Sequence, residues 1–149
     1  MSTLDEPPSA RPAVLFSNRS AAVISDEPLR RLAQETLLGE GLTEAELSVS
    51  FVEEDEITDL HVRYMNEPGP TDVLSFPLDD VDEAGVRLLG DVVIAPSVAA
   101  RNNPADPGAE IRLLLVHGIL HLLGYDHEID AEKAVMWARQ ERYSGVRAP

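Results

Sequence analysis

The chain has 149 residues, 44% of them apolar, which suits one domain with a real core and is short for two. It contains no cysteine, so disulfides, a disulfide-linked partner, thiolate nucleophiles and thiolate metal sites are excluded, and any metal must sit on His, Asp or Glu. Its 27 acids against 12 bases give a net charge of −15, which excludes binding of nucleic acid through diffuse positive charge.

Residues 1–12 carry three prolines and no periodicity, and are expected to form a mobile tail ahead of a single domain over 13–149. Residues 13–16 are a short apolar run that suits a first strand. Asp26 followed by Pro28 is a helix-start signal. Leu29, Leu32, Ala33, Thr36 and Leu37 then recur at helical spacing until Gly39 and Gly41 end the run. Residues 47–52 alternate as a strand does. Residues 55–65 put Ile57, Leu60 and Tyr64 on one face of a short helix, and the run EPGP at 67–70 breaks it.

The run TDVLSFP at 71–77 predicts a strand closed by its proline, followed by an acidic loop over 79–85. Residues 87–95 predict another strand, in which Gly90 signals a bulge or a close backbone approach. Residues 96–100 suit a helical turn and 102–108 a loop. Residues 109–123 are apolar nearly all round, which means a buried central helix. Residues 129–143 form a last, amphipathic helix.

This order predicts an α+β domain: a small mixed sheet of about four strands packed with four to five helices. The longest apolar run is about a dozen residues, short of the roughly 20 that a membrane helix needs, and the first residues carry acids and prolines instead of a basic and then an apolar stretch. The expectation is a soluble, cytoplasmic protein with no membrane partner.

Three of the four histidines fall in the run HGILHLLGYDH at 117–127. His117 and His121 are four apart, a rotation of about 400°, so both imidazoles share one helix face one turn apart. On a continuing helix His127 would be turned about 240° from His121 and would face away. Gly124 removes that objection, because glycine ends helices in a left-handed turn that lets the chain double back. His117, His121 and His127 can then hold one Zn2+ per chain at the end of the buried helix, with the fourth position left for the water of a catalytic site. The alternative is a pair of hydrogen-bonded core histidines. The spacing also matches that of the metzincin proteases, but the position of their general-base Glu is Gly118 here, which disfavours peptide hydrolysis.

The histidine run, preceded by TDVLSFP at 71–77 and LGDVVI at 89–94, resembles the YbeY endoribonuclease family over most of the chain. The resemblance implies an α+β fold, zinc on His117, His121 and His127, and single-strand-specific endoribonuclease action. It also implies maturation of the 3′ end of small-subunit (16S) ribosomal RNA and ribosome quality control, with ribosomal RNA and the small subunit as partners. In the family pattern an Asn and then Tyr-Arg precede the TDVLSF stretch. This chain has His61 at the Asn position, and Met65 follows Tyr64 where that Arg is expected. Arg63 lies about 160° around a helix from Met65.

Other residues admit two readings each. Asp72 and Ser75 are either a strand-start acid and a solvated serine, or the wall of a substrate groove beside the metal. Asp126 either supports a ligand histidine or caps the amides of a tight turn. Glu110 complements the dipole of the buried helix. Met136 and Trp137 suit a core, and His61 a helix end or surface. Arg63, Arg87, Arg101 and Arg112 are candidates to hold substrate phosphates, Arg being better suited to phosphate forks than Lys. Three functions compete on these residues: a zinc hydrolase of single-stranded RNA, a ribosome-assembly factor whose zinc is structural, and a metalloprotease.

Overall fold

The computed structural model describes residues 11–67, 69, 71–126 and 129–146. The expected tail therefore lies almost wholly outside the described residues. Within them, four strands and five helices follow in the order β1 (Ala13–Asn18), α1 (Asp26–Gly39), β2 (Ala45–Phe51), α2 (Glu54–Met65), β3 (Val73–Val81), β4 (Arg87–Ile94), α3 (Pro96–Asn102), α4 (Pro107–Leu122) and α5 (Asp130–Ser144). No helix among the described residues is long and apolar enough to cross a membrane.

The strands form one mixed sheet in the order β1-β2-β4-β3. β1 and β2 are parallel, as are β2 and β4, and β3 runs antiparallel to β4 at one edge. The β1-α1-β2 unit is parallel because its crossover is a helix, whereas β3 and β4 are joined by a tight turn. Along β2 burial alternates, and Ala45, Leu47, Val49 and Phe51 all point into the core.

Period two divides the sheet into two apolar faces. Leu47, Val49, Phe51, Val92 and Ile94 pack with Ala33 and Leu37 of α1 and with Leu115 and Ile119 of α4. Leu74, Val93 and Ala95 pack on the opposite face with Ile57 of α2 and Val98 of α3. α4 is therefore covered on two sides, because Val116 and Leu120 turn away from the sheet and meet Met136 of α5. That placement explains its all-round apolar sequence.

β3 departs from the sequence expectation. Pro77 does not close it: the strand continues to Val81 after a register shift between Pro77 and Asp80, with Asp79 at φ 52°. The predicted acidic loop over 79–85 thus shrinks to a turn at 82–86. The backbone parity gives the reason. Ala95 donates its N–H to the Asp72 carbonyl, so Asp72, Leu74 and Phe76 face β4 while Val73, Ser75 and Pro77 face the open edge. A proline there forfeits no ladder bond. Gly90 supplies the close approach its sequence signalled, with φ 128° and a position where a Cβ would stand 2.1 Å from the Phe76 carbonyl oxygen.

Candidate active-site cleft

α4 carries the two described histidines of the run to the open edge of β3. The rings of His117 and His121 lie with centroids 4.7 Å apart in an edge-to-face arrangement. Helical spacing alone brings them together, as expected. Position 118 turns instead into the sheet: a Cβ on Gly118 would stand 2.6 Å from Val92 Cγ1. Ser75 Oγ donates to the Gly118 carbonyl at 3.0 Å and ties β3 to α4 one residue after His117.

After Leu122 the helix ends as a glycine turn should. Gly124 takes φ 98°, its N–H donates to the His121 carbonyl, and the Tyr125 N–H reaches back to the Leu120 carbonyl. The turn expected from Gly124 is present. His127, the proposed third ligand, lies outside the described residues, and among the described residues no three His, Asp or Glu side chains form a metal-binding group. Tyr125 donates its hydroxyl to Glu40 Oε1 at 2.6 Å, and Arg139 of α5 donates to Glu40 Oε2 at 2.8 Å. The Tyr143 hydroxyl also donates to Oε2. Glu40, only 8% exposed, thereby clamps the end of α1, the turn after α4 and α5.

A cleft of about 470 Å³ runs along the β3 edge between the histidines and the end of α2. Its walls include Thr71, Asp72, Val73, Ser75 and Pro77 from β3 and its approach, His117 and His121 from α4, and His61, Met65 and Glu67 from α2 and the turn after it. The sequence placed His61 at a surface or helix end, but its side chain is only 13% exposed and belongs to this cleft. His61 Nδ1 lies 3.0 Å from the Gly69 carbonyl oxygen and Nε2 lies 3.1 Å from Glu67 Oε2, so the ring holds the turn that follows α2.

The cleft is acidic. Burial pushes the Asp72 carboxyl above its usual range, opposed by the backbone N–H groups of Asp72 and Val73 and by the Asn102 amide, which donates to Oδ2 at 3.1 Å. Glu110, in the first turn of α4, is also pushed up by burial and by the charge of Asp72, with Asn102 opposing. It therefore answers to Asp72 as well as to the helix dipole.

No Arg or Lys is among the described residues that line the cleft. Arg63 is largely exposed on α2 and pairs with Asp59 at 3.3 Å, while Arg87 pairs with Asp79 at 3.6 Å on the β3–β4 ribbon. Arg101 is paired with Glu54, and Arg112 is exposed on α4. Asp126 is part-buried two residues past Gly124.

Sequence reading missed the contribution of α5. Gln140 is 2% exposed, and its Oε1 lies 2.7 Å from His117 Nδ1. Trp137, read as core, packs edge-on against the His117 ring with centroids 5.7 Å apart. The available signal was a polar Gln four residues after the core Met136, on the same face of an amphipathic helix.

The chain resembles known proteins over most of its length. A family model described as endoribonuclease YbeY matches residues 15–145. The endoribonuclease YbeY of Thermobifida fusca is 46% identical over 144 residues, covering 88% of this chain and 92% of that protein. That of Acidothermus cellulolyticus is 48% identical over 118 residues, covering 70% of this chain and 72% of the relative. A solution structure of a Thermotoga maritima protein superposes with a TM-score of 0.62 at 30% identity, covering 88% of this chain and 86% of that one.

Proposed function

This chain belongs to the endoribonuclease YbeY family, and on that footing we propose that it is a zinc-dependent endoribonuclease that cuts single-stranded RNA at the β3-edge cleft. The observation that carries the reading is the convergence of His117 and His121 on one wall of a cleft in a chain whose relatives are named endoribonucleases. Its substrate in the cell is the 3′ end of small-subunit ribosomal RNA, in maturation and in ribosome quality control.

The donor set fits zinc. Two imidazoles lie one helical turn apart, and one is already held through its Nδ1, as liganding histidines commonly are. His117 and His121 would hold the ion, with His127 completing the set after the Gly124 turn. When bound, Zn2+ supplies a Lewis acid that polarises a phosphodiester oxygen and acidifies a water.

The chain's own groups do the rest. A phosphate entering the cleft meets Asp72 and Glu67 and no lining guanidinium among the described residues, so a bound ion would supply positive charge that these described walls do not. The Ser75 N–H on the open edge is a neutral donor at the cleft wall. Position 118 cannot supply a carboxylate base, because it faces Val92.

The test is cleavage of an end-labelled single-stranded RNA by wild type and His121→Ala purified side by side, with and without chelator. The expected result is cutting by wild type alone, lost in chelator and restored by zinc. Equal cutting by both proteins, or full activity in chelator, sinks the reading.

The acidic cleft favours a second reading, a ribosome-assembly factor with structural zinc and little catalysis. It requires that His121→Ala lower the melting temperature sharply and abolish ribosome association. A stable variant that still binds ribosomes counts against it.

A further inference from the structure

We infer that Gln140 is a positioning residue for His117: its carboxamide oxygen holds the proton of that imidazole on Nδ1 and so directs the Nε2 lone pair to the metal. The inference rests on the zinc reading above and goes beyond it, by assigning α5 a part in building the site.

The contact itself is short and sheltered. His117 Nδ1 and Gln140 Oε1 are 2.7 Å apart, across 23 residues of sequence, and Gln140 is 2% exposed. A carboxamide oxygen can only accept, so the imidazole must donate. In a neutral imidazole a proton on Nδ1 leaves the lone pair on Nε2. In a folded protein the hydrogen-bond partner of one ring nitrogen decides which nitrogen carries the proton and which is presented to a metal.

Packing does not explain the residue. Met136, one turn earlier on the same face, is fully buried against Val116 and Leu120, and a leucine at 140 would fill similar space without carrying a polar group indoors. Burying a carboxamide costs free energy unless it is bonded, and ordering a glutamine costs more side-chain entropy than ordering a leucine. Here the bond it makes is to a residue of the site. Trp137 braces the same ring edge-on, so α5 fixes both the tilt and the tautomer of His117.

The two-part test uses the full chain as wild type, Gln140→Glu and Gln140→Leu. First, long-range 1H–15N NMR of the metal-free proteins, at a pH where imidazole is neutral, reads the His117 tautomer directly. Wild type and Gln140→Glu are expected to carry the proton on Nδ1, and Gln140→Leu to lose that preference. Second, zinc affinity is measured by competition with a chromophoric chelator, with fluorescence of Trp137, the sole tryptophan, as a parallel signal. Gln140→Leu is expected to bind zinc about 10- to 100-fold more weakly, the range for loss of such a partner, while Gln140→Glu binds at least as tightly as wild type.

A wild-type His117 protonated on Nε2 overturns the proposal, as does a Gln140→Leu protein that binds zinc like wild type. Should Gln140→Leu fail to fold, Gln140→Glu decides alone, since a carboxylate also only accepts: weakened zinc binding there overturns the proposal. Wild type with Nδ1–H that takes up no zinc overturns the metal reading and leaves the tautomer assignment standing, so the two failures are told apart.

Discussion

A Cβ on Gly118 would lie 2.6 Å from Val92 Cγ1 and 3.2 Å from Ser75 Oγ, so the helix that carries the histidines rests on the sheet with only a hydrogen atom between them. The contact sets how deep α4 sits and therefore where His117 and His121 emerge at the β3 edge. Gly118→Ala is expected to lose ~1–3 kcal/mol to overpacking, net of the ~1 kcal/mol that alanine gains in helix propensity. Denaturant unfolding measures it. A variant as stable as wild type would mean that Val92 yields freely and the depth of α4 is not fixed here.

Glu40 gives the fold an acid-sensitive clamp. Burial alone would raise its carboxyl, but the hydroxyls of Tyr125 and Tyr143 and the Arg139 guanidinium outweigh burial and hold it below the usual range. A carboxyl lowered in the folded state adds stability above its ordinary range, and that stability is lost as pH falls through the lowered value. Tyr125 has the opposite sign: burial first, then the Glu40 hydrogen bond, push it up to about 12. Its contribution is present below the ordinary tyrosine range of about 10 and fades as pH rises toward 12. Glu40→Ala, which strands three donors, is expected to cost about 2–4 kcal/mol. Melting curves from pH 3 to 8 should show a shallower acid limb in Glu40→Gln than in wild type.

Asp72 should respond to acid in the other direction. Its carboxyl is raised by burial, so its ionisation costs stability as pH rises through the raised value. Asp72→Asn keeps a side-chain oxygen for Asn102 and removes a charge that also raises Glu110. At neutral pH it is expected to match or exceed wild type by about 1 kcal/mol, or roughly 2–4 °C in Tm for a chain of this size. Calorimetry at pH 7 and 4.5 checks this, with the advantage shrinking at the lower pH. A large loss at both would show that the carboxylate is a structural anchor.

Met65 lines the cleft where an arginine is expected from the resemblance. Met65→Arg would place a cation on a wall that has none among its described residues. RNA cleavage at low salt is expected to rise several-fold, and the salt dependence of binding to steepen by about 0.7 in log–log slope for one added phosphate contact on a single strand. An unchanged slope would show that RNA does not pass the end of α2.

Features that depend on near neighbours are legible in the order of residues alone. The alternation in 47–52, the helical spacing of His117 and His121, the glycine turn at 124 and the all-round apolar run of α4 are local patterns, and the structure repeats them. The close approach at Gly90 was legible for the same reason, since glycine is the residue that permits it. Features that depend on which groups face each other are set by packing. In sequence Pro77 reads as a stop, whereas in the fold it is an edge residue, because Asp72 pairs with Ala95 and fixes the parity of β3. Arg63 and Arg87 looked available for phosphate, and lie instead against Asp59 and Asp79, away from the cleft lining. His61 and Gln140 carry only weak local signals, because their partners are assembled by a turn and by a helix 23 residues distant. Backbone periodicity is written in consecutive residues, whereas the polar partners of a buried imidazole are chosen by packing, and packing joins segments that no local pattern connects.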